Sequence, residues 1–265
     1  MHRITRVSVL RRHLVPLRKK GHRIALVPTM GALHEGHLRL VDLARKHADV
    51  VVMSLYVNPV QFGPKEDFKR YPRPWQEDCA LAAGRGVDVM FRPSSLYAEN
   101  DSVRVIEREC SLGRCGAVRP GHFDGVTTVV AKLFLIVQPD VAVFGQKDGQ
   151  QLDVIERMVR DLYFPVKMVR APIVRDRDGL AMSSRNRYLT KEERELAVRF
   201  ASILREECSI GGAEGAVVAR IQKRLTGLAG IRLEYVEAVR GRIHVAVYVG
   251  TTRLIDNRLV RAGNT

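Results

Sequence analysis

The chain is poor in several features that mark common protein classes. Its four cysteines, Cys79, Cys110, Cys115 and Cys208, are scattered over 265 residues with no CxxC pair. That argues against a disulfide scaffold or a zinc ribbon and predicts a reduced, cytoplasmic protein. No window approaches the roughly 18 uninterrupted apolar residues of a membrane helix, so no membrane is expected. Lysine is scarce, 10 of the 44 basic residues, and aromatics reach only 6%. Net charge is +15, which admits a nucleic-acid partner. Yet the arginines run along the whole chain, with no basic block interleaved with aromatics, so no nucleic acid is expected. An arginine-rich background or polyanionic ligands account for the charge. GxGxxG is absent, which argues against a dinucleotide fingerprint and hydride transfer. The basic N-terminus lacks a continuous apolar stretch and a small-residue cleavage site, so it does not read as a secretory signal.

What is present is an ordinary apolar share, 46%, in a chain long enough for one large domain or a large and a small one. Val9, Leu10, Leu14 and Leu17 suit one side of a surface helix. Short apolar runs at 23–29, 49–57, 87–93, 140–145 and 165–174 read as buried strands. Helical patterns at 36–48, 75–86, 125–138 and 148–162 alternate with them. The run at 125–138 is apolar almost all round and predicts a buried helix. Alternating strands covered on both faces imply a Rossmann-like, doubly wound parallel α/β sheet. From about residue 175 the pattern changes. Two helices are expected at 190–208 and 212–225, the first opened by a capping box at Thr190 and Glu193. Period-two runs at 231–239 and 242–250, separated by Arg240 and Gly241, predict a hairpin. The expected domains are therefore 1–174 and a smaller, lid-like α+β domain over 175–265.

Four segments carry candidate chemistry. In PTMGALHEGHLRLV (28–41) the first strand ends at Pro28–Gly31 and a helix begins near Gly36. His34 and His37, three apart, project the same way from a helical turn. A metal site, a phosphate site and a plain strand-to-helix turn all fit this stretch. HEGH is one residue short of HExxH, which weakens the metal reading, whereas exposed N–H groups and imidazoles suit phosphate. GLAMSSRNRYL (179–189) offers two hydroxyls and a guanidinium to a polyphosphate, although taken alone such a stretch is more often a solvent loop. FGQKDGQQL (144–152) places Lys147 for a phosphate and Asp148 for a ribose hydroxyl, with Gln150 and Gln151 as further amides. In YVNPVQFGPKEDFKRYPR (56–73), Asn58 and Gln61 suit a small polar substrate. All four are expected beyond strand ends at one edge of the sheet, forming a nucleotide-phosphate site for transfer at phosphorus.

Together, PTMGALHEGHLRLV, VNPVQF, YPR, RPGHFDGV, VQPDVAVFGQKD with QQL, DGLAMSSRNRYL and VGTTRLIDN (249–257) resemble the pantothenate synthetase (pantoate–β-alanine ligase) family. That family lies in the nucleotidyltransferase superfamily, where HEGH stands in place of HIGH and MSSRN in place of the KMSKS loop. The resemblance implies an ATP-dependent condensation of (R)-pantoate with β-alanine through a pantoyl adenylate, in a homodimer, with Mg²⁺ accompanying ATP. It implies that Met30, Gly31, Ala32, Leu33, His34, Glu35, Gly36 and His37 line the ATP site, with His34 and His37 stabilising charge on the phosphates. Gly145, Gln146, Lys147 and Asp148 would hold ribose and phosphates. Val174 would lie by the adenine, and Met182, Ser183, Ser184 and Arg185 by the β and γ phosphates. Gln61 and Gln151 would hydrogen-bond pantoate. The catalytic assignments are His34, His37, Lys147 and Arg185. Glu77 and Asp78 lie where the family has an acidic pair, without being assigned as metal ligands. Gln146, Gly149 and Cys115 depart from the family's usual glutamate, aromatic residue and glutamate. Rival readings are a nucleotidyltransferase acting on a phosphorylated substrate and an RNA-binding relative with a decayed site.

Overall fold

The computed structural model describes residues 1–64 and 66–261. By backbone contacts they divide into two compact units, one of 1–146 and 150–172, the other of 147–149 and 173 onward. The expected division at 174/175 thus differs mainly at Lys147–Gly149. Those residues follow a strand of the first unit but group with the second.

The first unit runs β1 (His2–Ile4), α1 (Val7–Lys19), β2 (Ile24–Thr29), α2 (Glu35–Arg45), β3 (Val50–Leu55), α3 (Trp75–Gly84), β4 (Val89–Phe91), α4 (Arg114–Val118), α5 (His122–Val137), β5 (Val141–Gly145), α6 (Gly149–Asp161) and β6 (Lys167–Ala171). The six strands pair in parallel in the order β1-β4-β3-β2-β5-β6. From β2 the chain winds outward through β3 to β4, then returns to pair β5 on the other side of β2. The order therefore reverses between β2 and β5, the place where open α/β sheets take ligands beyond their strand ends.

Valine-rich strands form here because both faces are covered. Ala25, Val27, Val51, Met53, Val141 and Val143 pack against Leu40, Val41 and Ala44 of α2 and Ala82 of α3. Ile24, Leu26 and Val52 alternate to the other face and are fully buried, with α5 against β2 and α1 against α5. α5 is buried along nearly its whole length. In α1, Leu10 and Leu14 are buried but Val9 is exposed. The apolar stripe follows i, i+4, i+7 through Leu17 and leaves Val9 on the other side.

The second unit holds α7 (Lys191–Ile210), α8 (Glu214–Thr226) and an antiparallel sheet β7 (Ile231–Val239), β8 (Arg242–Val249) and β9 (Thr252–Leu259). The expected hairpin is β7–β8. Its two-residue turn has positive φ at both Arg240 and Gly241, the turn geometry that matches strand twist. The third strand, β9, was expected only as a motif. Ile243, Val245, Val247 and Val249 of β8 pack on Ala197, Phe200, Leu204, Val217 and Ile221 of the two helices. Among the described residues no helix is long and apolar enough to cross a membrane.

Candidate active site

The turn from β2 into α2 is held by its own buried contacts. Gly31 and Ala32 both have positive φ, +89 and +52, a conformation that glycine adopts freely but that is costly for Ala32. The buried carboxylate of Asp78, in the first turn of α3, holds them there. It accepts from Ala32 N at 3.0 Å and Leu33 N at 2.7 Å. A Cβ on Gly31 would stand 3.0 Å from Asp78 Oδ2. The sheet side is tied as well, because Thr29 Oγ1 donates to Ser54 O at 2.8 Å.

His34 is the N-cap of α2, with extended backbone, and its Nδ1 accepts from Gly36 N at 3.1 Å. An accepting Nδ1 leaves the proton of the neutral ring on Nε2. His37 lies one turn on, its ring centroid 4.0 Å from that of His34. Two imidazoles therefore sit at the positive end of a helix dipole, a setting suited to anionic groups. The helix starts at Glu35, one residue before the expected glycine. Glu35 itself turns to Arg85, which also pairs with Asp42. Of the eight residues expected to line an ATP site, Ala32 and Leu33 have buried side chains and backbone N–H groups already donated to Asp78.

The loop after β3 is similarly braced. A short 3-10 helix, Pro59–Gln61, is capped by Asn58, which is buried. Asn58 Nδ2 donates to Gln61 Oε1 at 3.1 Å and to Gly125 O at 3.0 Å. Gln61 Nε2 lies 3.3 Å from Met30 Sδ, so this loop touches the β2–α2 turn. Behind it, Gln61 O meets His122 Nδ1 at 2.8 Å, and Arg119 NH1 meets His122 Nε2 at 2.9 Å. A carbonyl only accepts and a guanidinium only donates, so the tautomer with its proton on Nδ1 satisfies both contacts. Arg119 in turn grips Glu66 with both ends, at 2.7 and 2.6 Å. A Cβ on Gly125 would come within 2.7 Å of Gln61 Cα, so glycine is required for α5 to pass. These RPGHFDGV residues carry no role in the sequence reading beyond the family likeness.

After β5 comes a 3-10 turn, Gln146–Asp148, and then the two glutamines. Gln150 is not available to a substrate. It is buried, accepts from Cys115 N at 2.9 Å and donates to the carbonyls of Cys110, Leu112 and Gly113. Gln151 is half-buried and makes no side-chain hydrogen bond to another described residue. Cys115, at a position where a glutamate was expected, is buried and fastened through its backbone by Gln150. The loops bearing His34 and His37, Gln61, and Gln146 thus leave strands β2, β3 and β5, neighbours in the sheet, at their carboxyl ends.

The fourth expected segment belongs to the second unit. Val174 O accepts from Met182 N at 3.0 Å. Ser183 caps the 3-10 helix Ser184–Tyr188, its Oγ accepting from Arg185 N at 3.3 Å. Ser184 is buried, while Met182 and Arg185 are half-buried. Gly149 also has a physical reason within this unit. A Cβ there would lie 2.7 Å from His244 Cε1, so neither an alanine nor an aromatic fits without displacing that ring. Among the described residues no group of three or more His, Cys, Asp or Glu is placed to hold a metal ion.

Comparison with known proteins covers nearly the full length. The pantothenate synthetase of Moorella thermoacetica is 48% identical over 276 aligned positions, 97% of this chain and 98% of that one. The crystal structure of pantothenate synthetase from Thermus thermophilus superposes with a TM-score of 0.92 at 42% identity, covering 99% of this chain and 100% of that one. The pantoate-beta-alanine ligase from Francisella tularensis, a complex with beta-gamma ATP and beta-alanine, gives 0.85 at 33% identity with full coverage of both chains. The model of the pantoate-beta-alanine ligase family matches residues 2–259, and the chain belongs to that family.

Proposed function

We infer that the two imidazoles at the start of α2 serve the ATP-dependent ligation of (R)-pantoate to β-alanine. In the first half-reaction a pantoate carboxylate oxygen attacks the α-phosphorus of ATP. The bond from that phosphorus to the bridging oxygen breaks, and pyrophosphate leaves with the electron pair. In the second, the neutral amine of β-alanine attacks the carbonyl carbon of the pantoyl adenylate. AMP leaves, the nitrogen sheds a proton, and pantothenate is formed. Little covalent work is asked of the protein, so positioning and charge stabilisation carry the rate.

The observation that carries this reading is the His34–His37 pair, 4.0 Å between centroids, on a helix N-terminus beside the strand reversal, in a chain of this family. The N–H of His34 Nε2 donates to a phosphate oxygen, and His37 stabilises charge as pyrophosphate departs. Lys147 meets the leaving pyrophosphate and Arg185 the β and γ phosphates, with Ser183 and Ser184 beside them. Met30, Gly31, Glu35 and Gly36 adjoin the nucleotide along with Gly145, Gln146 and Asp148. Val174 and Met182 are assigned to the adenine and phosphate ends. Ala32 and Leu33 shape the turn through Asp78. Gln61 and Gln151 hydrogen-bond pantoate. Mg²⁺ would accompany ATP and offset charge on its phosphates; among the described residues no group of three or more His, Cys, Asp or Glu is placed to hold it. A homodimer acting in the cytoplasm completes the assignment.

The test is pyrophosphate release from ATP with and without pantoate, then with β-alanine. Release requires pantoate, and AMP with pantothenate appears only when both are present. Release indifferent to pantoate defeats the substrate assignment. His37→Ala and Lys147→Ala each slow adenylation far more than they weaken pantoate binding. Unchanged turnover in either removes that residue's role.

A further inference from the structure

Two buried polar residues on the last strand, Asp256 and Asn257, have no place in the chemistry above. They are 2% and 1% exposed, in a strand whose neighbours pack apolar side chains. Uncompensated, such groups are costly, and each must find partners. The partners they find are informative.

Asn257 Nδ2 donates to Lys147 O at 2.9 Å. Its Oδ1 accepts from Arg242 NH1 at 2.6 Å. A guanidinium only donates, so the amide orientation is settled and its N–H₂ end faces the Lys147 carbonyl. On the same strand, Asp256 takes Arg175 in a two-point pair at 2.6 and 2.9 Å, and Asp256 Oδ1 also accepts from Asn257 N at 2.7 Å. Arg175 NH1 reaches on to Gly179 O at 3.1 Å. Arg175 also bridges Ala181 through its backbone, directly ahead of Met182, Ser183, Ser184 and Arg185.

Adjacent strand residues point to opposite faces. Asn257 is opposite His244 on β8, and Asp256 is opposite Val245. The His244 face receives the turn 147–149, since Gly149 abuts that ring. The Val245 face receives Arg175. One dipeptide therefore anchors both segments assigned to phosphate, each from its own side of one strand.

We propose that Asp256 and Asn257 are positioning residues for adenylation. They fix the turn bearing Lys147 and, through Arg175, the loop bearing Ser183 to Arg185, as one rigid piece. This rests on the phosphate roles given above to Lys147 and Arg185.

Asn257→Asp is the sharpest probe. It keeps an acceptor for Arg242 and nearly the same volume, but turns an acceptor-only oxygen toward the Lys147 carbonyl. Pantoate-dependent ATP–pyrophosphate exchange is expected to fall on the order of 10- to 100-fold, since small misplacement of a charge-stabilising group costs that much. KM for pantoate stays within about twofold, and so does the aminolysis of supplied pantoyl adenylate by β-alanine. Arg175→Lys keeps the charge but loses the fork, and shifts the same half-reaction. Because Asn257 acts through Lys147, Asn257→Asp adds less than about twofold to Lys147→Ala.

Equal loss in both half-reactions marks a merely structural residue and overturns the proposal, as does exchange at full speed in Asn257→Asp while Lys147→Ala is slow. Lys147→Ala at full speed overturns instead the phosphate role beneath it.

Discussion

At the scale of single residues, the site depends on groups that hold other groups. Asp78 accepts two backbone N–H bonds and keeps Gly31 and Ala32 in left-handed conformations. Asp78→Asn removes one acceptor oxygen and leaves a buried N–H facing an N–H. Denaturant unfolding is expected to show a loss of about 1–3 kcal/mol, with adenylation slowed because His34 and His37 follow that turn. Full stability in this variant would show that the turn holds itself. His34, His37, Lys147 and Arg185 stand at strand ends, helix starts and loops that local signals mark, and their assignment to the site comes from the family resemblance. Asp78 was visible only as half of an acidic pair. Its partners lie more than 40 positions away in the chain, and no spacing rule links them. Gln150 misled for the complementary reason. An amide side chain suits a substrate and a backbone loop equally, and only packing chose the loop at 110–115. Gly149 read as a departure from its family. The nearby His244 ring gives it a steric reason.

Among the elements, those with strong periodicity were read well, and their ends are set by chemistry that travels with them. α7 begins at the expected capping box, with Glu193 N donating to Thr190 Oγ1 at 3.2 Å and Thr190 N to Glu193 Oε2 at 3.0 Å. Thr190→Ala should destabilise the second unit by about 1 kcal/mol, seen as a lower denaturant midpoint with an unchanged slope; an unmoved midpoint would assign the cap no net stabilisation. Two strands escaped the sequence reading. β1 is only three residues long inside a basic segment. β9 contains Asp256 and Asn257, both buried, so it lacks the clean alternation of apolar and polar residues that announces a half-buried strand. Its polar residues face inward because other segments supply their hydrogen bonds. The same cause hid the strand and made it a clamp.

For the whole molecule, each unit contains a carboxylate held by arginine against the effect of burial. Burial pushes Glu66 up, but Arg119, through its hydrogen bonds and charge, holds it below the usual range. Burial likewise pushes Glu207 up, and Arg220 and Arg224 outweigh it, with Glu207 Oε2 at 2.7 Å from Arg220 and Oε1 at 2.9 Å from Arg224. Folded values below the unfolded ones give stability that is present above the ordinary carboxylate range and lost as pH falls through the folded values. Thermal unfolding should therefore be level from pH 7 to about 5 and decline below about 4. Glu207→Gln flattens that decline and lowers stability at pH 7 by about 1.5–3 kcal/mol. A decline unchanged by Glu207→Gln would remove this pair from the acid response. Elsewhere in that unit burial pushes the Cys208 thiol up to about 11, consistent with a reduced, unreactive cysteine in the core.

The sequence by itself determined the layered α/β class, most of the run of strands and helices, and the loops proposed for the chemistry. Each follows from hydrophobic period and turn residues within a few positions of one another. Only the tertiary structure decided the strand order with its reversal beside β2, the assignment of 147–149 to the second unit, and the buried carboxylates and amides that hold the loops. These depend on contacts between residues tens to more than a hundred positions apart, and hydrophobic pattern and turn chemistry carry no information about which distant polar groups will meet.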